Sequence, residues 1–285
     1  MQRKIQTVDT LLDALPFIKT FSGETVVIKY GGSAQTEPAL KEKFARDVLL
    51  MYLVGIKPVV VHGGGKSITA LSEALGIQAV FKDGQRITDK ETMRVAEMVL
   101  SGEINSEIVS LLNHAGAKAI GISGKDALAI RARPKAGGSF GYTGEITHVS
   151  ADVLFKLIQD RFIPVIAPIA AGDEPGHPGY NINADVAACH IAVAVGAKKV
   201  IFLTDTPGVL DKEKQLLHSL TETQIEALKA DGTISGGMIP KVDACLDSLK
   251  GGVDKAHIID GRIEHALLLE LFTSEGIGTE IIHDR

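Results

Sequence analysis

The sequence predicts an α/β fold built on an open, mostly parallel sheet, and three observations carry that expectation. The 285 residues include 30 glycines and no tryptophan, and 45% are apolar, with valine, isoleucine, alanine and leucine prominent. Such a composition suits strands buried on both faces and covered by helices. Short β-branched runs alternate with stretches of helical periodicity. Several of these runs end in glycine-rich turns that feed straight into a helix, which places ligand sites at the carboxyl ends of the strands. The length leaves room for two lobes or one large domain.

Residues 7–21 carry apolar positions at Val8, Leu11, Leu12, Leu15 and Ile18, the pattern of an amphipathic helix that Pro16 is expected to kink or break. Standing ahead of the first core run, this stretch reads as an added arm, packed on its own subunit or lying between subunits. Val26-Val27-Ile28 then predicts a buried strand that ends in Lys29-Tyr30-Gly31-Gly32-Ser33. Lys29 either snorkels from the strand end or projects its ammonium into the ligand crevice. Gly31 and Gly32 let backbone N–H groups approach an anion there. Leu40, Phe44, Val48 and Met51 follow helical spacing, with Gly55 as a stop. Residues 57–62 make a second strand, closing in His62-Gly63-Gly64-Gly65-Lys66-Ser67 and a helix with Ile68, Leu71 and Leu75 on one face. A helix start adds oriented N–H groups and a positive dipole end, so two such turns can converge on one anion. Val60 stands where a P-loop needs its first glycine, and neither turn spells G-x-G-x-x-G.

Residues 81–88 read as a hairpin around Asp83-Gly84 that delivers Arg86 just before a helix, with Thr88 and Glu91 at capping-box spacing. Arg86 is then either a surface residue or a two-pronged holder of a carboxylate. Helical patterns around 93–100 and 104–112 precede a glycine-rich, β-rich stretch over 118–146, in which 139–144 read as a mobile hairpin. A helix is predicted from Ser150 and a strand over 162–169. The loop over 172–180 leads into Asn181-Ile182-Asn183-Ala184-Asp185, ahead of a helix over 186–195. Asn183 or Asp185 can cap that helix. If the segment is extended, residues 181, 183 and 185 instead face one way and wall the end of the sheet. A strand over 199–204 ends in Asp205-Thr206-Pro207-Gly208-Val209-Leu210-Asp211, a turn that suits a nucleotide. A helix near 221–228 is followed by Thr233-Ile234-Ser235-Gly236-Gly237-Met238-Ile239-Pro240-Lys241, again glycines before a helix and a lysine in its first turn. A strand over 256–259, a helix over 265–272 and a closing edge strand over 278–282 complete the chain.

The formal charge of −5 gives no general attraction to nucleic acid, so an anionic ligand must be held by a few focused cations. Cys189 and Cys245 make no disulfide framework and have no metal-ligand spacing; they read as buried thiols of a reducing, cytoplasmic setting. No run approaches the roughly 18 apolar residues of a membrane span, and the N-terminus lacks a signal-peptide core.

Taken together and in order, Lys29-Tyr30-Gly31-Gly32, Val61-His62-Gly63-Gly64-Gly65, Arg86, Asn181-Ile182-Asn183-Ala184-Asp185 and Gly236-Gly237-Met238-Ile239-Pro240-Lys241 cover nearly the whole chain. They resemble the amino-acid kinase family, and within it the members that phosphorylate N-acetyl-L-glutamate for arginine synthesis. The resemblance implies an eight-stranded sheet sandwiched by helices, with an arm over residues 1–24, an N-lobe for the acyl amino acid over 25–195 and a C-lobe for ATP over 196–285. It implies that Lys29 and Lys241 flank the phosphoryl group in flight and that Asp185 holds both lysines. Gly32 and Gly64 are implied as N–H donors to the phosphoryl oxygens, and Gly64 and Gly65 as lining for the substrate. Arg86 is implied at the α-carboxylate and Asn181 at the acetylated end. ATP is implied over Asp205, Thr206, Pro207, Gly208, Val209 and Leu210 and over Thr233, Ile234 and Ser235, with Mg²⁺ bound largely through phosphate oxygens.

The implied product is an acyl phosphate, so a hairpin over 82–87 or 139–144 is expected to close and exclude water. An N-terminal arm and a segment like 265–279 occur in the family's arginine-inhibited hexamers. That implies a trimer of dimers, with L-arginine bound between the arm and Glu275-Gly276. Aspartate kinase is disfavoured by the lack of a C-terminal regulatory extension. Glutamate 5-kinase, carbamate kinase and uridylate kinase share the glycine turns but not the combination of Arg86 with the 181–185 segment. A non-catalytic amino-acid sensor on the same fold has no need of two lysines around a transferring group.

Overall fold

The structure, a computed structural model, describes residues 1–82 and 84–284. The chain opens with α1 (Gln2–Phe21), β1 (Thr25–Tyr30), α2 (Ser33–Thr36), α3 (Pro38–Leu53), β2 (Lys57–His62) and α4 (Gly65–Ala74). The hairpin of β3 (Val80–Lys82) and β4 (Gln85–Ile87) leads to α5 (Lys90–Glu97), a π-helical stretch (Met98–Ile104), α6 (Asn105–Ala115) and β5 (Ala119–Ser123). After them come β6 (Ile130–Pro134), β7 (Gly144–Val149), α7 (Asp152–Gln159), β8 (Ile163–Ala167), β9 (Ile169–Ala170), β10 (Tyr180–Asn181) and α8 (Ala184–Ala194). The remainder is β11 (Lys199–Thr204), β12 (Ser219–Thr221), α9 (Glu222–Ala230), α10 (Ile239–Lys250), β13 (Lys255–Asp260), α11 (Ala266–Phe272) and β14 (Thr279–Ile282).

Eight strands form one sheet in the order β12-β14-β13-β11-β1-β2-β8-β5. Every pairing is parallel except β13 with β14. Four strands from residues before 196 fill one half and four from later residues fill the other, with β1 and β11 at the join. Alternate residues of β1 feed two cores. Val27 faces the layer that includes α7, α8 and α10, whereas Val26 and Ile28 face the layer of α3, α5, α6 and α11. Burial on both faces is why these strands read as continuous apolar runs.

Several expectations need correction. The helix of the arm runs on through Pro16. Pro16 and Leu12 are both exposed, so the Leu12 carbonyl that loses its N–H partner can turn to water. The patterns around 93–100 and 104–112 belong to one rod, joined by the π-helical stretch. The helix expected from Ser150 begins at Asp152, and the strand expected over 162–169 ends at Ala167. The last strand is not an edge: β14 lies inside the sheet, covered by the three-residue β12. The hairpin around residue 84 forms, although Asp83 lies outside the described residues. Among the described residues no helix is long and apolar enough to cross a membrane.

Candidate active site

Three elements far apart in sequence meet at one carboxylate. Lys29 near the end of β1 places Nζ 3.1 Å from Asp185 Oδ1. Lys241, in the first turn of α10, donates to Asp185 Oδ2 at 3.0 Å. Asp185 itself is buried in the first turn of α8. Burial acts to raise its carboxyl, but the ammoniums of Lys29 and Lys241 outweigh that and hold it below the usual carboxylate range. The trio therefore carries one surplus positive charge, on two partly exposed ammonium groups fixed by one ionised carboxylate.

Asn183 caps α8, its Oδ1 accepting from the N–H groups of Asp185 at 2.8 Å and Val186 at 3.1 Å. The extended wall of residues 181, 183 and 185 does not form, because the helix begins at Ala184 and turns Asp185 toward the lysines. Asn181 lies instead in β10, donating to the Thr88 hydroxyl at 3.3 Å.

The two glycine turns lie side by side because β1 pairs with β2 up to Tyr30 and His62, and the Gly63 N–H donates to the Tyr30 carbonyl at 2.9 Å. Gly32 has φ +69°, and a Cβ there would run into the Asp205 carboxylate. The Ser33 N–H donates to Asp205 Oδ1 at 2.6 Å, so this turn already binds an anionic group in the protein. At Gly64 a Cβ would collide with Leu100 and Ile104 of the π-helical stretch. A cavity of about 440 Å³ is bounded by Lys29, Gly32, Gly64 and Lys66. A neighbouring one of about 220 Å³ shares residues 63–65 and is bounded by Arg86, Leu100 and Asn181.

Arg86 is anchored through one nitrogen and unpaired at the other. Its Nη2 donates to the Gly65 carbonyl at 2.9 Å and to the Thr69 hydroxyl at 2.7 Å, while the guanidinium lies over the Phe81 ring at 4.7 Å. Its Nη1 is buried with no partner among the described residues, a donor held ready for an anion. Behind it, the Thr143 hydroxyl donates to the Arg86 carbonyl at 2.7 Å and lies 2.9 Å from the Thr88 hydroxyl. Thr88 thus does not form the expected capping box with Glu91. Asp89 caps α5 instead, accepting from the Thr92 N–H at 2.7 Å.

Residues 205–210 follow β11, and residues 233–235 precede the turn that carries Lys241. Lys212 and Asp231, which lie just beyond the first segment and just before the second, form an exposed ion pair at 2.9 Å. The Val209 N–H donates to the Thr279 hydroxyl at 2.8 Å, which fixes the first segment to β14. Among the described residues no three His, Cys, Asp or Glu side chains are grouped to hold a metal ion.

The sequence model of the amino acid kinase family matches residues 24–260. The chain belongs to that family. Acetylglutamate kinase of Sulfurimonas denitrificans is 68% identical to this kinase over 281 residues, 99% of each chain. The enzyme of the same name from Wolinella succinogenes is 63% identical over 284 residues, 100% of each. Among solved structures, N-acetylglutamate synthase from Neisseria gonorrhoeae, complexed with coenzyme A and N-acetyl-glutamate, has a TM-score of 0.87 at 25% identity. That match covers 98% of this kinase and 64% of the synthase chain. Carbamate kinase from Giardia lamblia bound to AMP-PNP shares the fold, with a TM-score of 0.70 at 19% identity over 92% of this chain and 99% of that one.

Sequence reasoning missed the groups that support the site of this kinase from behind. Thr69 and Thr143 act through hydroxyls that no motif marks, and the spacing that marks Thr88 points to a cap rather than to its contact with Thr143. Leu100 and Ile104 reach Gly64 because a π-helical stretch shifts the helix face, and the only trace of that in the sequence is the break between two helical patterns.

Proposed function

We propose that this kinase transfers the γ-phosphoryl group of ATP to the side-chain carboxylate of N-acetyl-L-glutamate, giving ADP and N-acetyl-L-glutamyl 5-phosphate for arginine biosynthesis. The observation that carries the reading is the Lys29–Asp185–Lys241 trio beside a pocket where Arg86 offers a buried, unpaired Nη1. The relatives named acetylglutamate kinase supply the acceptor.

In the reaction a carboxylate oxygen of the acceptor forms a bond to Pγ while the bond from Pγ to the β–γ bridging oxygen breaks and ADP leaves. The attacking carboxylate is already ionised, so no proton has to move and no general base is required. Asp185, held between two ammonium groups, fits that chemistry as an organiser. Lys29 and Lys241 stabilise charge on the transferring group from two sides, and the Gly32 and Gly64 N–H groups reach its oxygens. Arg86 receives the α-carboxylate through Nη1. Asn181 contacts the acetylated end, and Gly64 and Gly65 line the acceptor. We assign acceptor binding to residues 25–195 and ATP to 196–285, over 205–210 and 233–235. Mg²⁺, when bound, would neutralise phosphate charge and would be held mainly through phosphate oxygens.

We also read a cavity of about 530 Å³ between α1 and residues 273–280 as the site of feedback by L-arginine. Phe17 and Phe21 of the arm form one wall, and Asp254 and Glu275 stand among the carboxylates able to meet a guanidinium. A coupled assay of ADP release tests the main reading. N-acetyl-L-glutamate should support turnover at least about 100-fold faster than aspartate, glutamate or UMP, the discrimination open to a site whose buried polar groups would go unpaired with the wrong acceptor. Equal or faster turnover with any of the other three would overturn it.

A further inference from the structure

His62 closes β2 and is fully buried directly under the second glycine turn. Its Nδ1 lies 3.0 Å from the Gly63 carbonyl oxygen and its Nε2 lies 3.2 Å from Asn105 Nδ2. A carbonyl only accepts and an amide nitrogen only donates, so one tautomer satisfies both contacts. Nδ1 carries the proton and donates to Gly63, while Nε2 accepts from Asn105. Burial pushes the imidazole down to about 4, which keeps it neutral at physiological pH. The second amide proton of Asn105 goes to the Val165 carbonyl at 3.0 Å, so both of its donors are engaged. On β5 the Asn105 side chain fills the space that a Cβ at Gly121 would need.

The Gly63 carbonyl also accepts from Gln35 Nε2 at 2.9 Å. In a trans peptide the N–H of the next residue points opposite to that carbonyl. Donors that hold the Gly63 oxygen from behind therefore set the direction of the Gly64 N–H in front. Asn105 directly follows the π-helical stretch whose Leu100 and Ile104 abut Gly64. One segment thus fixes the same peptide by an apolar contact and by a polar relay.

We propose that His62 and Asn105 are positioning residues that aim the Gly64 N–H at the phosphoryl group in flight, through their hold on the Gly63 carbonyl. The proposal rests on the phosphoryl-transfer reading above. In neither side chain is a proton exchanged with substrate; the effect passes through the orientation of one peptide group.

The test uses the full chain with His62→Asn, His62→Gln and Asn105→Asp. The asparagine amide can stand where Nδ1–H stood and keep the bond to Gly63. Glutamine reaches the Nε2 position and leaves the Gly63 oxygen without that donor. His62→Asn is expected to stay within about 3-fold of wild-type kcat, whereas His62→Gln falls about 10- to 100-fold with both KM values little changed, the range for a misaligned catalytic group. In Asn105→Asp the carboxylate demands a proton on Nε2, so ¹⁵N-histidine NMR should show the His62 proton leaving Nδ1, with a matching fall in kcat. A purely structural role would lower Tm in both His62 variants and leave kcat per folded molecule equal, and that result would overturn the proposal. So would a wild-type spectrum with the proton of neutral His62 on Nε2, a readout that needs no substrate. Loss of the N-acetyl-L-glutamate preference, by contrast, strikes only the proposed function.

Discussion

At the scale of single residues, the site depends on charges that are fixed before any ligand arrives. Lys29→Ala and Lys241→Ala are each expected to lower kcat by about 10²–10³ while changing nucleotide affinity far less, because a preorganised cation matters most as charge moves. Steady-state kinetics with a nucleotide-binding titration checks this, and near-wild-type turnover in either variant would remove that lysine from the mechanism. Arg86→Lys should raise KM for the acceptor about 10-fold, the loss of one charge-assisted hydrogen bond of roughly 1.5 kcal/mol, with kcat changed less. An unmoved KM would relocate the α-carboxylate. The placement of Lys29, Lys241 and Arg86 was legible because they stand at the end of a strand, after a glycine turn and in a hairpin, each with its own local signal. Thr88 was legible as a polar residue ahead of a helix and was given the wrong task. Its hydroxyl serves Asn181 and Thr143, which lie 93 and 55 residues away, a choice made by tertiary contact that local spacing cannot encode.

At the scale of elements, α11 is held to the sheet by one buried carboxylate. Glu270 Oε1 lies 3.1 Å from Lys199 Nζ of β11 and 2.6 Å from His257 Nδ1 of β13, and Oε2 accepts from the Ile277 N–H at 3.0 Å. Burial acts to raise the Glu270 carboxyl, but His257, Lys199 and the Ile277 N–H bring it down to about 2. A carboxylate lowered in the folded state contributes stability that is fully present above its unfolded value of about 4.5 and is lost as pH falls toward about 2. Glu270→Gln is therefore expected to cost about 3 kcal/mol at pH 7, with the gap to wild type narrowing across that window. Urea unfolding at several pH values checks it; a gap independent of pH would mean the carboxylate is not the source. The long strands β1, β2 and β11 were legible from their runs of three to four apolar residues, and α9 as a helical stretch, which the structure starts with a capping box at Thr221 and Gln224. β12 was not, since three residues are too few to show a period, and missing it turned an inner strand into an apparent edge.

At the scale of the whole molecule, α1 leaves Leu11, Leu12 and Leu15 exposed at 66%, 57% and 42%. In the hexamer that the resemblance implies, covering them on a second arm would contribute about 1.5–3 kcal/mol each toward joining one dimer to the next. Deleting residues 1–20 should leave active dimers that ignore L-arginine. Light scattering and inhibition assays check both parts, and a truncated hexamer or continued inhibition would return the arm to a packed terminal helix. The parallel sheet was legible from composition and from strand–helix alternation, but its order was not, because local periodicity says nothing about which strands become neighbours. That order has a consequence for synthesis on the ribosome. β1 leaves the exit tunnel early and finds β2 soon after, yet its other flank belongs to β11, which begins only at residue 199. At about 5–20 residues per second, that flank of backbone donors and acceptors stays open for roughly 10 to 30 seconds. A nascent chain stalled at residue 195 should therefore bind holdase chaperones and aggregate once released, whereas one stalled well beyond residue 260 should not, and pelleting of the released chains would show whether β11 is what closes the edge.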